Sequence, residues 1–330
     1  MLTYLARRLV LALITTWAIT VVTFIIMQLP PGDFVDAYVS QSSAMGSSIS
    51  AAEADAMRQA YGLNQPFYIQ YLKWMSFVAR GELGLSFEYG RPVTEVIGDR
   101  LWLTIILSIG AILVTWGLAL PIGIYSAVRQ YSFGDYVFTF VGFIGLAIPN
   151  FLLALIIMYV GFRYFGLNVG GLFSAEYALA PWSFAKVWDL MEHLPIPVFI
   201  LALAGTAQLV RIMRANLLDE LRRPYVMTAR ARGLPEYRVI LKYPVRAALN
   251  PFASTIGYLL PFMVSGSVII SVVLSLPTVG PLLLRSLLSQ DMLLGSSIIL
   301  LLGILTVIGT LLSDMLLMWI DPRIRLGRDT

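Results

Sequence analysis

Six long runs without a charged residue constrain the fold of this chain more than any other feature. They cover residues 9–32, 101–128, 136–162, 194–210, 247–284 and 292–313. A helix needs about 20 mostly apolar residues to cross the hydrocarbon core of a bilayer, since each residue adds about 1.5 Å. Only 13% of the 330 residues are charged, whereas a soluble domain has roughly 25% charged residues. The runs therefore predict a polytopic membrane protein.

Each run predicts one crossing, so the predicted fold is all-α, a membrane bundle of six transmembrane helices. The first run is longer than the apolar region of a signal peptide and has no small-x-small cleavage site, so it is predicted to remain as an anchor. The fourth run is the weakest, because it has only 17 residues. In the fifth run Pro277 and Pro281 interrupt the helix, so the span is predicted over about 254–276, followed by an irregular or re-entrant segment.

The distribution of charge predicts that both termini are cytoplasmic. Six crossings put both termini on the same side of the membrane. If that side is the cytoplasm, 15 of the 23 basic residues but only 6 of the 19 acidic residues are cytoplasmic. This asymmetry follows the positive-inside rule, and it explains the net charge of +4 without a nucleic acid partner. The predicted location is the cell (inner) membrane, with the lipid bilayer as a partner along several spans.

Three parts of the chain are predicted. Residues 1–32 form the N-terminus and first transmembrane helix, 33–100 form an extracytoplasmic helical segment, and 101–330 form a five-helix core. In the second part, Ser50 and Glu53 have the spacing of a capping box, and Gly62 is placed to end the helix that they start. This segment is predicted either to dock a soluble partner or to cap the bundle.

The inside loop 211–246 holds nine of the basic residues and is the most informative stretch. Residues 225–232 favour a helix, and Gly233 can take the left-handed conformation that ends it. A second short helix is predicted to start at Leu234-Pro235-Glu236. The predicted result is a rigid knob parallel to the membrane that transmits force to a cytoplasmic partner. The alternative is an interfacial amphipathic element whose arginines bind lipid phosphates.

Several kinds of chemistry are excluded by the residues present. The chain has no cysteine and one histidine, His193, so thiolate metal sites and multi-histidine sites are not expected. None of its three lysines follows a glycine, so it has no P-loop and no cofactor of its own is expected. An intramembrane protease would have to use His193 at the outer end of the fourth span. We therefore predict that the chain is not an enzyme.

Asp314 is the one carboxylate inside a predicted span. A buried intramembrane acid is a candidate proton carrier, and it leaves a secondary, ion-coupled transporter as an alternative function. Asp314 lies near the inside end of its span, however, where it can also bond a neighbouring helix or reach water. A structural role is the favoured interpretation.

Several motifs along the chain resemble one family. They are Pro31-Gly32-Asp33, Gly62-Leu63-Asn64-Gln65-Pro66, Gly81-Glu82-Leu83-Gly84-Leu85-Ser86, Ile148-Pro149-Asn150-Phe151, the stretch from Tyr225 to Gly233, and Asp314 seven residues before Asp321-Pro322-Arg323. Together they resemble the permease subunits of ABC importers in the oligopeptide/dipeptide permease group, nearly end to end. The resemblance implies a type I ABC importer-like fold and a permease subunit of an ATP-driven, binding-protein-dependent importer, with a cytoplasmic coupling helix at about 222–246.

The resemblance also implies site residues. The ATPase-coupling residues are Tyr225, Thr228, Ala229, Arg230, Ala231, Arg232, Gly233, Leu234, Pro235 and Glu236. Asp314, Asp321 and Arg323 belong to the scaffold. Polar candidates for the translocation path are Asn150, Gln208 and Ser271.

The implied partners are a second homologous permease subunit, one or two cytoplasmic ATPase subunits that carry ATP and Mg, and a periplasmic or extracellular solute-binding protein. Peptide is the implied substrate, with oligosaccharide, opine or metal complex as alternatives. Two positions depart from the family pattern. Met227-Thr228-Ala229 stands where related permeases have Glu-Ala-Ala, and Ser271 stands where peptide-type members tend to have glutamate.

Overall fold

The computed structural model describes residues 2–47, 49–255 and 267–320. Within these residues the regular secondary structure is helical, apart from an isolated bridge between Leu85 and Pro92. The helices are α1 Leu2–Gln28, α2 Phe34–Ala44, α3 Ala51–Tyr61, α4 Phe67–Ala79, α5 Val93–Val128, α6 Phe133–Ala147, α7 Asn150–Phe165, α8 Phe184–His193, α9 Pro195–Leu221, α10 Pro224–Ala231, α11 Glu236–Lys242, α12 Pro244–Ser254, α13 described over 267–273, α14 Val279–Leu288 and α15 Met292–Ile320. The predicted all-α class is confirmed.

Four of the described helices are long and apolar enough to cross a membrane, and they coincide with the first, second, fourth and sixth predicted spans. They are α1 from Val10, α5, α9, and α15 as far as Met315. The weak fourth run belongs to a 27-residue helix, because α9 continues past the uncharged run to Leu221. Residues 256–266 of the fifth predicted span, 254–276, lie outside the described residues.

The third run is not the single tilted helix that its length predicts. It forms α6 and α7, whose axes are bent by 102°, and the pair counts as a fifth crossing only if it is one broken span. Ile148 between them is extended, with φ −87° and ψ 121°. The physical reason is Pro149, since a proline disfavours helical backbone in the residue before it.

The described residues divide into two compact units: those within 2–104 and 278–307 form one, and those within 105–277 and 308–320 form the other. In the first unit, Trp74 on α4 is fully buried, and its ring stacks on Phe24 of α1 with centroids 5.9 Å apart. Its indole N–H donates to the hydroxyl of Ser297 on α15 at 3.3 Å. Aromatic packing therefore joins the segment after the first span to two apolar helices of the same unit.

In the second unit, α9 packs against α6, α7, α8 and α12. It also approaches α5 and α6 closely at glycines. A β-carbon on Gly123 would lie 2.7 Å from the β-carbon of Met213, and one on Gly145 would lie 2.9 Å from the γ-carbon of Leu203. Only a residue without a side chain fits these two crossings as they stand.

The predicted start and end of α3 are confirmed. Glu53 N–H donates to the Ser50 hydroxyl at 3.3 Å, and Ser50 N–H donates to the Glu53 carboxylate at 2.9 Å, which is the capping box. Gly62 ends the helix in the left-handed region with φ +70°. Local signals of this kind are reliable because they act within one turn of the chain.

Asp291 is a fully buried carboxylate in the turn before α15. It accepts hydrogen bonds from the Ser86 hydroxyl at 2.5 Å, Glu88 N–H at 3.1 Å and Leu294 N–H at 3.1 Å. Burial raises the pKa of Asp291 above its ordinary value, although these hydrogen bonds act in the opposite direction. The carboxylate thus anchors the loop around Ser86 to the start of α15.

The raised pKa gives an expected pH dependence. The folded protein binds the proton of Asp291 more tightly than the unfolded chain, so stability from this group is present below its ordinary pKa of 3.8 and is lost as pH rises through the higher folded value. Thermal unfolding of Asp291→Asn between pH 4 and 7 should therefore show a weaker decline with pH than wild type. Asp55→Asn, at an exposed carboxylate, is the control. Equal slopes in wild type and Asp291→Asn would contradict the assignment.

Candidate functional site

The loop after α9 folds into two short helices joined at a glycine, as the residues predict. α10 begins with Pro224 at its first position, where a missing N–H costs no hydrogen bond. Gly233 has φ +72°, and a β-carbon there would meet nothing within 4 Å, so glycine is required for its conformation and not for space. α11 follows directly after Pro235.

The two helices pack on one another through a small apolar core. Val226 and Ala229 of α10 and Val239 of α11 are buried together, with Leu234 and Tyr243 packed against them. We call residues 224–242 the α10–α11 hairpin. Because it has its own core, the hairpin is a rigid element at the end of the α9 span.

One polar contact joins the two helices of the hairpin, and another joins the hairpin to the end of α9. The guanidinium of Arg230 binds the carboxylate of Glu236 across the glycine turn, at 2.7 Å from Nη2 and 3.2 Å from Nε. This pairing raises the pKa of Arg230 and lowers that of Glu236. An exposed pair contributes only about 0–1 kcal/mol, so its effect is on orientation. The Tyr225 hydroxyl donates to Glu220 at the end of α9, and burial, followed by this bond, raises the pKa of Tyr225.

The outer surface of the hairpin is apolar as well as basic. Met227 is 60% exposed and Tyr237 is 59% exposed, and neither was among the predicted coupling residues. Ala229, which was also predicted to couple, is a buried residue of the hairpin core. Met227 follows buried Val226 by one residue and precedes buried Ala229 by two, and this spacing turns its side chain away from the core face of α10.

The other predicted coupling residues lie mostly on the surface of the hairpin. The Thr228 hydroxyl bonds within its own helix, to the Pro224 carbonyl at 3.0 Å. Ala231, Arg232 and Pro235 are exposed, and Leu234 is half-buried. A surface that exposes arginines together with Tyr225, Met227 and Tyr237 has the composition that is enriched where proteins bind one another.

Sequence reasoning missed an ion pair between Arg214 of α9 and the buried carboxylate of Asp135. Arg214 donates to both oxygens of Asp135, with Nε at 3.1 Å and Nη2 at 3.0 Å. Asp135 is 3% exposed, lies in the first turn of α6 and also accepts from Tyr131 N–H at 3.0 Å. Ser132 caps the same turn by accepting from Asp135 N–H. The pair therefore ties α9 to the α5–α6 connection.

The predicted path residues lie on three different helices of the second unit. Asn150 is half-buried at the first position of α7, Gln208 is exposed on α9, and Ser271 is fully buried on α13. The Ser271 hydroxyl makes no hydrogen bond to any residue that the structure describes. Their role in a path remains a prediction.

Among the scaffold residues, Asp314 is half-buried on α15, whereas Asp321 and Arg323 lie outside the described residues. Within residues 2–47, 49–255 and 267–320, no group of three His, Asp or Glu side chains is placed to hold a metal ion.

Comparison with known proteins places the hairpin and the spans in one family. Residues 119–326 match the model of the binding-protein-dependent transport system inner membrane component, and residues 1–108 match the N-terminal model of the same membrane component. The chain belongs to this family. It is the permease subunit of a binding-protein-dependent ABC importer, a non-catalytic multi-pass membrane component, which confirms the resemblance found in its motifs.

Similar proteins span the same length. The chain is 35% identical over 325 residues to the oligopeptide transport system permease protein AppB of Bacillus subtilis, covering 98% of this chain and 99% of that protein. It is 34% identical over 329 residues to the putative peptide permease protein BOV_A0351 of Brucella ovis, with 98% and 99% covered. It is 29% identical over 339 residues to the dipeptide transport system permease protein DppB of Alkalihalophilus pseudofirmus, with 98% and 100% covered.

Proposed function

We propose that this permease subunit imports peptides and receives its energy through the α10–α11 hairpin, on which a separate cytoplasmic ATPase docks. The observation that carries the proposal is the packed hairpin joined directly to the α9 span, with Met227 and Tyr237 exposed on its surface. ATP and Mg bind the partner ATPase, because this chain has no P-loop lysine.

The proposed topology has six crossings with cytoplasmic termini. Four apolar helices, the broken pair α6 and α7, and the predicted span at 254–276 supply the six. This arrangement places the hairpin inside with its basic residues, in agreement with the positive-inside rule. It also places residues 33–100 outside, as the surface on which a solute-binding protein delivers substrate. The division of the chain into 1–32, 33–100 and 101–330 belongs to the same proposal.

The proposed substrate class follows from the relatives. AppB and DppB are named for oligopeptide and dipeptide transport. Ser271 stands where the peptide-type pattern tends to have glutamate. A binding assay on the captured solute-binding protein should therefore compare peptides with oligosaccharides, opines and metal complexes.

The proposed mechanism is alternating access. Closure of two ATPase subunits on ATP displaces the hairpin, and its rigid core moves the end of α9 with it. The Asp135–Arg214 pair passes this displacement to α6 and the α5–α6 connection. A second permease subunit is needed to enclose a polar path, and Asn150, Gln208 and Ser271 are the proposed contributions of this chain to it.

Substitution of Met227 by lysine tests the docking surface. A charge placed in an apolar contact loses its hydration without a partner, so we expect the ATPase retained on co-purification to fall about 10- to 100-fold, which corresponds to about 1.4–2.8 kcal/mol. Met45→Lys is the matched control, since Met45 is exposed in the segment 33–100. Unchanged ATPase retention and uptake in Met227→Lys would contradict docking on the hairpin.

The ion-coupled alternative has a separate test. Proteoliposomes with the permease subunits but no ATPase should take up no substrate on a proton or sodium gradient. Uptake under that condition would overturn the ATP-driven function, and loss of uptake on Asp314→Asn would then identify the carrier.

A further inference from the structure

Helix α8 is joined directly to a membrane span. It begins after Ser183, whose hydroxyl accepts from Lys186 N–H at 3.2 Å, and has 10 residues. Only Leu194, which has helical backbone, separates its end at His193 from the start of α9 at Pro195. A helix of this length is about 15 Å long and cannot cross a bilayer.

The face of α8 that is turned into the protein is the charged one. Lys186 and Asp189 are each only 6% exposed. The Lys186 ammonium donates to the Ala180 carbonyl at 2.6 Å and lies over the rings of Phe173 at 4.9 Å and Trp182 at 5.2 Å. The Lys186 side chain therefore has its partners in the segment that precedes α8.

Asp189 is held by the same segment. It accepts from Ser174 N–H at 2.9 Å and from the Ser174 hydroxyl at 2.5 Å. Burial acts to raise the pKa of Asp189, but these hydrogen bonds and the nearby His193 outweigh it, and the pKa lies below its ordinary value. The carboxylate is thus ionised and needs no water on the outer face.

The outer face of α8 is a continuous apolar stripe. Phe184, Val187, Trp188 and Met191 follow the i, i+3, i+4, i+7 spacing of one helix face, and they are between 44% and 85% exposed. The indole N–H of Trp188 donates to the Glu192 carboxylate at 2.7 Å. This polarity is the reverse of that of a helix packed on a core in water, where the charged face is outward.

We propose that α8 is an interfacial helix whose stripe lies in the boundary between the headgroups and the acyl chains of the bilayer. Three observations select lipid as the occupant: α8 is joined directly to a membrane span, it is too short to cross a bilayer by itself, and tryptophan prefers this boundary. In the topology proposed above, the boundary is that of the outer leaflet. The helix then fixes the depth of the outer end of α9, whose inner end carries the hairpin.

The chain has no cysteine, so a single labelled cysteine reports on this face. Met191→Cys is labelled with the fluorophore NBD in the assembled transporter, reconstituted into phosphatidylcholine vesicles. We expect a nitroxide on carbon 5 of the lipid chain to quench the label strongly and aqueous iodide to quench it weakly. Val187→Cys, on the same stripe, should give the same pattern.

Met45→Cys, exposed in the segment 33–100, is the matched control and should show strong quenching by iodide and weak quenching by the nitroxide lipid. A Met191 label quenched mainly by iodide would place the stripe in water and overturn the proposal. A label shielded from both quenchers would place it against another protein chain and overturn it equally. Uptake measured on the same vesicles distinguishes these outcomes from failure of the proposed function.

Discussion

Replacing Arg214 with alanine is expected to destabilise the permease by about 1–3 kcal/mol, because the Asp135 carboxylate would lose both guanidinium bonds and keep the Tyr131 N–H as its donor. The carboxylate is 3% exposed and accepts both guanidinium bonds of Arg214. The expected measurement is a lower unfolding temperature of the purified complex. Arg211→Ala is the control, since Arg211 is exposed on the same helix.

A second measurement separates transmission of force from stability. If the pair passes the motion of α9 to α6, Arg214→Lys should lower the amount of substrate imported for each ATP hydrolysed, because lysine restores the charge but not the bidentate geometry. A merely structural pair would change the amount of folded complex and leave this ratio constant. The double variant Asp135→Ala with Arg214→Ala should cost less than the two single variants added together. Additive losses would show that the two side chains do not act as a pair.

Replacing Trp74 with alanine is expected to cost about 3–5 kcal/mol in the first unit, the usual loss for a large aromatic side chain removed from a core. Trp74 is fully buried between α1, α4 and α15, where it stacks on Phe24 and lies 6.2 Å from the ring of Tyr71. Thermal unfolding or protease cleavage within 33–100 would measure the loss. Tyr68→Ala is the control on the same helix, because Tyr68 is 56% exposed.

Trp74→Phe separates the packing of the ring from its hydrogen bond. Phenylalanine keeps most of the apolar surface, and the Ser297 hydroxyl retains its own bond to the Leu83 carbonyl at 3.3 Å. We therefore expect a loss of about 1 kcal/mol, the net value of one hydrogen bond. Equal losses for the alanine and phenylalanine variants would contradict a packing role for the ring.

Four long apolar helices and the hairpin could be predicted from the amino acids because their signals are local. Uncharged runs mark helices that tolerate lipid, and Gly233 marks a turn in the left-handed region. The bend at Ile148 carried a local signal in Pro149, but run length alone favoured one helix. Pro149 therefore marks a break that the length of its run does not reveal, whereas Pro121 is accommodated within helix α5.

The ion pair of Asp135 with Arg214 had no local signal. The two residues are 79 positions apart, and their meeting depends on how α6 packs on α9. The inverted polarity of α8 could not be predicted for a similar reason. Lys186 and Asp189 have the sequence pattern of solvent-facing charges, and their burial depends on contacts with the segment that precedes α8. Charges whose partners come from another element are the part of a site that composition and spacing do not reveal.

The glycines on α5 and α6 decide which helices pair. Between helices that lie among lipid tails, apolar side chains gain little from exchanging lipid for protein, so hydrophobicity does not select one neighbour over another. Size does select it, because Gly123 and Gly145 admit Met213 and Leu203 at distances that leave no room for a methyl group. The pairing of α9 with α5 and α6 is thus specified by the absence of side chains, and an alanine at either glycine would alter it while leaving both helices apolar and uncharged at that crossing.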